Sequence, residues 1–273
     1  MKHSAALPVL MYHHVSPSQG LVTVSPETFR NHLAWLKAQG YHSVGAADLA
    51  AFLAGRPLAP RSVMISFDDG YLDNYVYAHP ALAEFGFQAV LFLITGRIGD
   101  GPPRPCQGQG EPLPATPAHR QCMASWEAGM ADEVMLRWSE VERMAAAGTF
   151  EFHSHTHTHT RWDRVEADPE RRRALLHQDL EASRAALAQR LGSDSLHLCW
   201  PQGYYDDLYR QVARETGFTH LYTVRRGTNT RRTDPQHIRR VVVKDKPARW
   251  LGSRLRVYGH PLLASLYTAV HPE

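Results

Sequence analysis

An apolar run that ends in two adjacent carboxylates and a glycine most narrows what this chain can become. Val63-Met64-Ile65 reads as a buried strand, and Ser66-Phe67-Asp68-Asp69-Gly70-Tyr71 follows it directly. Successive strand residues point to opposite faces, so Asp68 and Asp69 diverge unless the backbone bends there. Gly70 supplies that freedom. A bend delivers both carboxylates to one site with different tasks, one toward a metal and the other toward a proton. The competing reading is a turn with a helix N-cap, where Asp is common.

Around this stretch, strands and helices alternate. Val9-Leu10-Met11-Tyr12 is a short strand ending in His13-His14. Ser25-Pro26 opens a helix that Gly40 closes, and a second helical stretch covers 46–53. After the acidic strand come a helix over about 73–85, closed by Gly86, and a buried strand over 89–94. Further on, the pattern predicts helices over 138–147, 168–191 and 205–216, and strands over 149–152, 196–200, 220–224 and 238–243. This alternation predicts an α/β fold of parallel β/α units, a barrel in preference to an open sheet. In either architecture the site lies at the C-terminal ends of the strands. His13, Asp68, Asp69, the histidine run and Trp200-Pro201 all fall there.

Two segments depart from the rhythm. Residues 96–137 are rich in Pro and Gly, which predicts an insertion beside the site, irregular over most of its length and placed as a lid. Residues 247–273 form a basic and apolar tail beyond a barrel of 7–246. In the tail Arg249, Arg254 and Arg256 are interleaved with Trp250, Leu251, Leu255, Tyr258, Leu262, Leu263, Leu266 and Tyr267. That mixture predicts peripheral contact with a membrane, in two short pieces because Gly259-His260-Pro261 interrupts it. The plainer reading is a helix packed across the barrel with its arginines in solvent.

The chain has 273 residues and a net charge of +3, too small to argue for a nucleic-acid partner. Cys106, Cys122 and Cys199 lack paired spacing, which points to a reducing compartment. The opening residues hold no apolar region long enough for a signal peptide, and nothing approaches the ~20 apolar residues of a spanning helix. The expectation is a cytoplasmic protein, working at the inner face of the membrane if the tail docks there; oligomeric state is left open.

The second chemical element is His153-Ser154-His155-Thr156-His157-Thr158-His159. In an extended chain the ends of a four-residue span lie ~13 Å apart. That is too wide for two ligands on one ion with Zn–N bonds of about 2.1 Å. If the chain turns helical after the strand, positions i and i+4 come within ~6 Å. His155 with His159 is the first such pair and His153 with His157 the second. The rival is a solvated strand end that binds metal adventitiously. Two histidines and a carboxylate with an open position describe a hydrolytic zinc site. They also describe a non-haem iron oxygenase, in which the carboxylate lies close to the first histidine in sequence. Here it lies far upstream in a β/α chain, which favours hydrolysis.

These residues resemble the polysaccharide deacetylases, carbohydrate esterase family four. Phe67-Asp68-Asp69-Gly70-Tyr71 looks like the family's first motif and Ser154-His155-Thr156-His157-Thr158-His159 its second. Trp200-Pro201-Gln202-Gly203-Tyr204 resembles the third, and Leu10-Met11-Tyr12-His13-His14-Val15 is similar to the branch that deacetylates poly-β-1,6-N-acetylglucosamine. The resemblance implies a distorted (β/α) barrel of about seven to eight parallel strands. It implies Asp69, His155 and His159 as ligands of a divalent ion, zinc first, with nickel, cobalt or iron(II) as alternatives. Asp68 is then the general base and His13 the general acid, with His14 in reserve. Tyr71, Trp200, Gln202 and Tyr204 become candidate contacts to an N-acetylated saccharide.

Two departures stand out. The arginine that usually orients the base in the third motif is replaced by Leu198-Cys199-Trp200, leaving Arg239 and Arg240 as candidates for its role, and Gln202 replaces an aromatic. The usual Leu-x-His near the domain's end is absent, and the opening Tyr12-His13 strand takes its place, as in a circular permutation. The rival functions are a metal-dependent C–N hydrolase of a small amide or nucleotide-linked sugar, a non-catalytic glycan-binding module, and a histidine-rich metal buffer.

Overall fold

The computed structural model describes residues 3–192 and 194–270; residues 1–2 of the opening stretch and 271–273 of the expected tail lie outside it. The chain begins with β1 (Val9–Tyr12) and a small parallel pair, β2 (His14–Val15) and β3 (Thr23–Val24). Next come α1 (Pro26–Ala38), β4 (His42–Ser43), α2 (Ala46–Leu53) and β5 (Ser62–Asp69). Ser25 caps α1 by accepting from the Thr28 N–H, with Pro26 at the first turn. A wide turn over Asn74–Ala78 leads into α3 (His79–Phe85), so the helix expected over 73–85 is regular only in its second half. Then follow β6 (Ala89–Leu93), α4 (His119–Glu127), α5 (Trp138–Ala146), β7 (Phe150–Ser154), α6 (Trp162–Val165) and α7 (Pro169–Leu191). The last elements are β8 (His197–Cys199), α8 (Asp207–Glu215), β9 (His220–Arg226), β10 (Ile238–Val242), α9 (Ala248–Tyr258) and α10 (Pro261–Val270).

The strands run β1-β10-β9-β8-β7-β6-β5, and β1 pairs with β5 to close the ring. This is a barrel of seven parallel strands, with β4 added alongside the start of β5. Leu10 is in register with Val241 on one side and Ile65 on the other, so the first strand sits between the last and the acidic one. That is the arrangement a circular permutation of the motifs requires.

Every residue of β5 and β6 is buried, as expected of strands covered on both faces. Alternate positions divide the core. Leu10, Ile65 and Leu91 face the outer helices, where they meet Leu33 of α1, Met144 of α5 and Leu255 of α9. Met64, Phe92, Cys199 and Tyr222 face the barrel interior, whose N-terminal end is plugged by Leu49 and Phe52 of α2. Asp68 belongs to this inward set, which carries its carboxylate to the open end.

Two segments stand apart from the strand and helix rhythm. The insertion over 96–137 is mostly irregular but contains α4, which brings side chains over the site. The boundary at 246/247 is not a structural break. Leu251, Leu255 and Tyr258 of α9 are buried, and Gly252 lets that helix meet α1 so closely that a Cβ would lie 2.6 Å from the Trp35 ring. α10 adds Ala264 to the core and turns Leu262, Leu263, Leu266 and Val270 outward. Among the described residues no helix is long and apolar enough to cross a membrane.

Candidate active site

The two carboxylates reach one cleft because the backbone leaves the strand at Asp69. Asp69 has φ 77° and Gly70 φ 91°, both left-handed. A Cβ on Gly70 would lie 2.7 Å from Leu93 Cδ2, so the turn admits only glycine there. Asp68 points into the barrel, and the turn swings Asp69 beside it toward the histidine loop.

The histidine loop is not helical, contrary to the expected i, i+4 turn. After β7 the chain curls back through Thr156 (φ 66°) and His159 (φ 63°). Asp179 of α7 holds the curl by accepting from the N–H groups of His157 (2.9 Å) and Thr158 (2.8 Å). His155 Nε2 and His159 Nε2 then lie 3.3 and 3.6 Å from Asp69 Oδ1. The alternative pair is split. His153 turns to Ser195 and Glu151, and His157 to Thr95 Oγ1 at 3.0 Å.

Asp69, His155 and His159 offer ligand atoms within 4.8 Å of one another. Bonds of about 2.1 Å at tetrahedral angles need separations of roughly 3.4 Å, so the set fits an ion with little rearrangement. His155 Nδ1 donates to the Cys199 carbonyl at 2.8 Å, which leaves Nε2 free to ligate. Burial alone would raise the Asp69 carboxyl, but the His155 hydrogen bond and nearby His159 hold it well below the usual range. Burial pushes His159 down to about 4, which keeps its imidazole neutral, the form a ligand needs. A second grouping, Asp68, His155 and Cys199, also brings its ligand atoms within 4.8 Å of one another. It is the poorer set, because the guanidinium of Arg240 already occupies it.

Arg240, fully buried, reaches across from β10 and grips Asp68 with two hydrogen bonds, 2.6 Å to Oδ1 and 2.8 Å to Oδ2. Its Nε donates to the Thr223 carbonyl at 2.9 Å, and its Nη2 lies 3.0 Å from Cys199 Sγ. Burial would raise the Asp68 carboxyl, yet Arg240 outweighs it and holds the group below its ordinary value. His13 Nε2 lies 3.8 Å from Asp68 Oδ2. Burial lowers the His13 ring, partly offset by the two aspartates, and its buried Nδ1 has no hydrogen-bond partner.

Residues 55–221, more than half of the chain, match the polysaccharide deacetylase family. The chain belongs to that family. A poly-beta-1,6-N-acetyl-D-glucosamine N-deacetylase of Escherichia coli (strain K12) is 33% identical over 85 residues, which is 30% of this chain and only 13% of that protein. Two solved structures share the fold. The Streptococcus pyogenes deacetylase PplD in complex with acetate superposes with a TM-score of 0.71 at 22% identity, covering 91% of this chain and 98% of that one. IcaB from Ammonifex degensii gives 0.71 at 23% identity, covering 92% and 97%.

The cleft measures about 170 Å³, with His13, Asp68, Asp69, His155 and His159 at its base. Tyr71, Gln202 and Val224 line it, and α4 adds His119, Met123 and Trp126. Sequence reasoning missed these α4 residues because the surrounding Pro and Gly masked a nine-residue helix. Tyr71 is clamped between His14 and Trp126, with ring centroids 3.8 and 5.5 Å away. His14 itself does not line the cleft. It is fully buried, 2.6 Å from Asp73 Oδ2 and 3.1 Å from His119 Nδ1, so it braces His119 and does not fit the reserve-acid role. Two expected sugar contacts also need correction. Trp200 touches the cleft but is fully buried against Tyr205 and Tyr209, offering no free ring face. Tyr204 does not line the cleft, and the Arg161 guanidinium sits 3.9 Å from its ring centroid.

Proposed function

We propose that this chain is a metal-dependent hydrolase that removes N-acetyl groups from a saccharide containing β-1,6-linked N-acetylglucosamine. One observation carries the reading: an arginine-held carboxylate, a three-residue ligand set and a histidine face the same small cleft. A volume of about 170 Å³ lies below the roughly 300–1,000 Å³ of a drug-sized pocket, so it suits an acetamide with one edge of a sugar. The activity named for the Escherichia coli relative supports the choice of sugar and linkage.

Asp69, His155 and His159 would hold the ion, zinc on the chemistry of two imidazoles and one carboxylate. When bound, it supplies Lewis acidity to the acetamide carbonyl and to a water. Asp68, kept ionised by Arg240, takes the proton of the attacking water. The Tyr71 peptide N–H is the candidate donor to the oxyanion that forms on the carbonyl. Because Asp68 is a weak base in this grip, it readily passes its proton on. His13, 3.8 Å away and neutral in the resting site, is the recipient and delivers it to the departing amine. The C–N bond then breaks to give acetate and a free amino sugar.

Acetate release from β-1,6-linked N-acetylglucosamine oligomers tests this. The zinc-loaded protein should release acetate, and Asp68→Asn should retain zinc while losing about 10²–10⁴ in kcat. Turnover of small amides alone would favour the small-amide hydrolase. Oligomer binding without acetate release would favour the glycan-binding module.

A further inference from the structure

A second feature lies on the outside of the barrel, beside the cleft mouth. Arg225 of β9, Arg239 of β10 and Arg232 of the connecting loop line one groove of about 440 Å³, closed on one side by Pro261 and Ser265 of α10. Among the described residues none of these three arginines has a carboxylate within ion-pair distance. The groove's own acid, Asp234, is engaged by His237 at 2.8 Å and by the Gln236 N–H at 2.9 Å. Arg239 lies against Gly227, where a Cβ would come within 2.5 Å of its Cδ. Thr228, 7% exposed, also lines the groove, and its hydroxyl has no hydrogen-bond partner. Three guanidiniums with no carboxylate partner, Arg225 stacked 5.8 Å from the Tyr205 ring, and an unsatisfied hydroxyl share one concavity, complementary to a phosphate.

Its neighbour α10 is apolar where a soluble surface is usually polar. Leu262, Leu266 and Val270 are 70%, 66% and 73% exposed and follow one another at i, i+4, i+8, with Leu263 beside them. The opposite face is anchored by buried Ala264 and by Tyr267 against Tyr258. A phosphate groove bordered by a leucine stripe matches an amphiphile with an anionic head and a hydrocarbon body. Val224, the residue before Arg225, is a wall of the cleft, so this surface adjoins the cleft mouth.

We infer that the arginine groove and α10 together dock the protein on an anionic membrane surface. Headgroup phosphates enter the groove, and Leu262, Leu263, Leu266 and Val270 enter the acyl boundary.

Co-sedimentation of the full chain with vesicles tests the inference, using phosphatidylglycerol mixed into phosphatidylcholine against phosphatidylcholine alone. Wild type should bind the anionic vesicles, more weakly at high salt, and leave the neutral ones in suspension. The pair Arg225→Gln/Arg239→Gln should bind at least tenfold more weakly. The pair Leu262→Gln/Leu266→Gln should fail to sediment at either salt. Neither pair touches the proposed catalytic groups, so acetate release from a soluble substrate should stay at the wild-type rate and report intact folding. Equal binding to neutral vesicles, or variants that sediment like wild type, would overturn the inference. A Tm rise with inorganic phosphate but no vesicle binding would make the groove a site for a soluble anion, and the membrane reading would be wrong.

Discussion

Arg240 and Asp68, 172 positions apart in sequence, meet inside the barrel as a two-pronged ion pair with neither partner exposed to water beyond a trace. Leaving one half of such a pair without the other costs about 3–5 kcal/mol, far more than the pair contributes over a well-packed apolar substitute. We expect Arg240→Ala to lose stability on that scale and to lose most activity. Arg240→Lys should recover part of the stability, since the charge remains, but little activity, since an ammonium cannot hold both oxygens. Denaturant unfolding and kcat on the same preparations separate the two effects. Wild-type kcat in Arg240→Lys would show that the fork does not position the base.

That pair also marks what could be read from the sequence and what could not. The barrel was legible because strand and helix patterns alternate, and the carboxylate turn because Gly70 follows two acids. The choice between Arg239 and Arg240 was not. Period-two alternation makes one of them face inward, but Ile238-Arg239-Arg240-Val241-Val242 offers apolar residues on both faces. The pairing with β9 also slips, Ile238 facing Tyr222 while Arg240 faces Arg226, so counting along the strand does not fix the inward residue. Cys199 makes sense only afterwards, as a side chain small enough to admit the guanidinium. The histidine loop failed for a related reason. Its curl depends on Asp179, a long-range partner on α7 that no local pattern reveals.

Metal binding should separate the histidines. His155→Ala and His159→Ala each remove one of the three proposed ligands and should abolish retention of zinc through dialysis. His157→Ala should keep most of it, because that ring faces Thr95. Metal content by mass spectrometry reads all three. Equal losses would mean that the loop adopts another register when an ion is bound.

The proposed acid role of His13 predicts an asymmetry between leaving groups. An amine must be protonated to depart, whereas an activated phenol need not be. His13→Ala should therefore lower kcat on N-acetylated sugars by about 10²–10⁴ and on an activated acetate ester much less. Matching losses on both substrates would assign His13 to holding Asp68 or the substrate in place.

The lower end of the barrel makes the last prediction. β7, β8 and β9 set His153, His197 and His220 side by side, with ring centroids 4.7 and 4.5 Å apart. Burial, reinforced by its two histidine neighbours, lowers His197 well below its ordinary value. A histidine held neutral in the fold binds fewer protons than the unfolded chain, whose value is about 6.5. Stability from this group is therefore fully present above that pH and falls as the pH drops through it, down to the folded value. His197→Asn retains an amide to face Tyr222, which lies 3.1 Å from His197 Nδ1, but removes the titration. Urea midpoints measured from pH 7 downward should fall more steeply for wild type than for His197→Asn. Buried His32 and half-buried His79, which are also lowered, should leave a residual slope in the variant. Parallel slopes would show that the stacked histidines do not set the acid sensitivity of the fold.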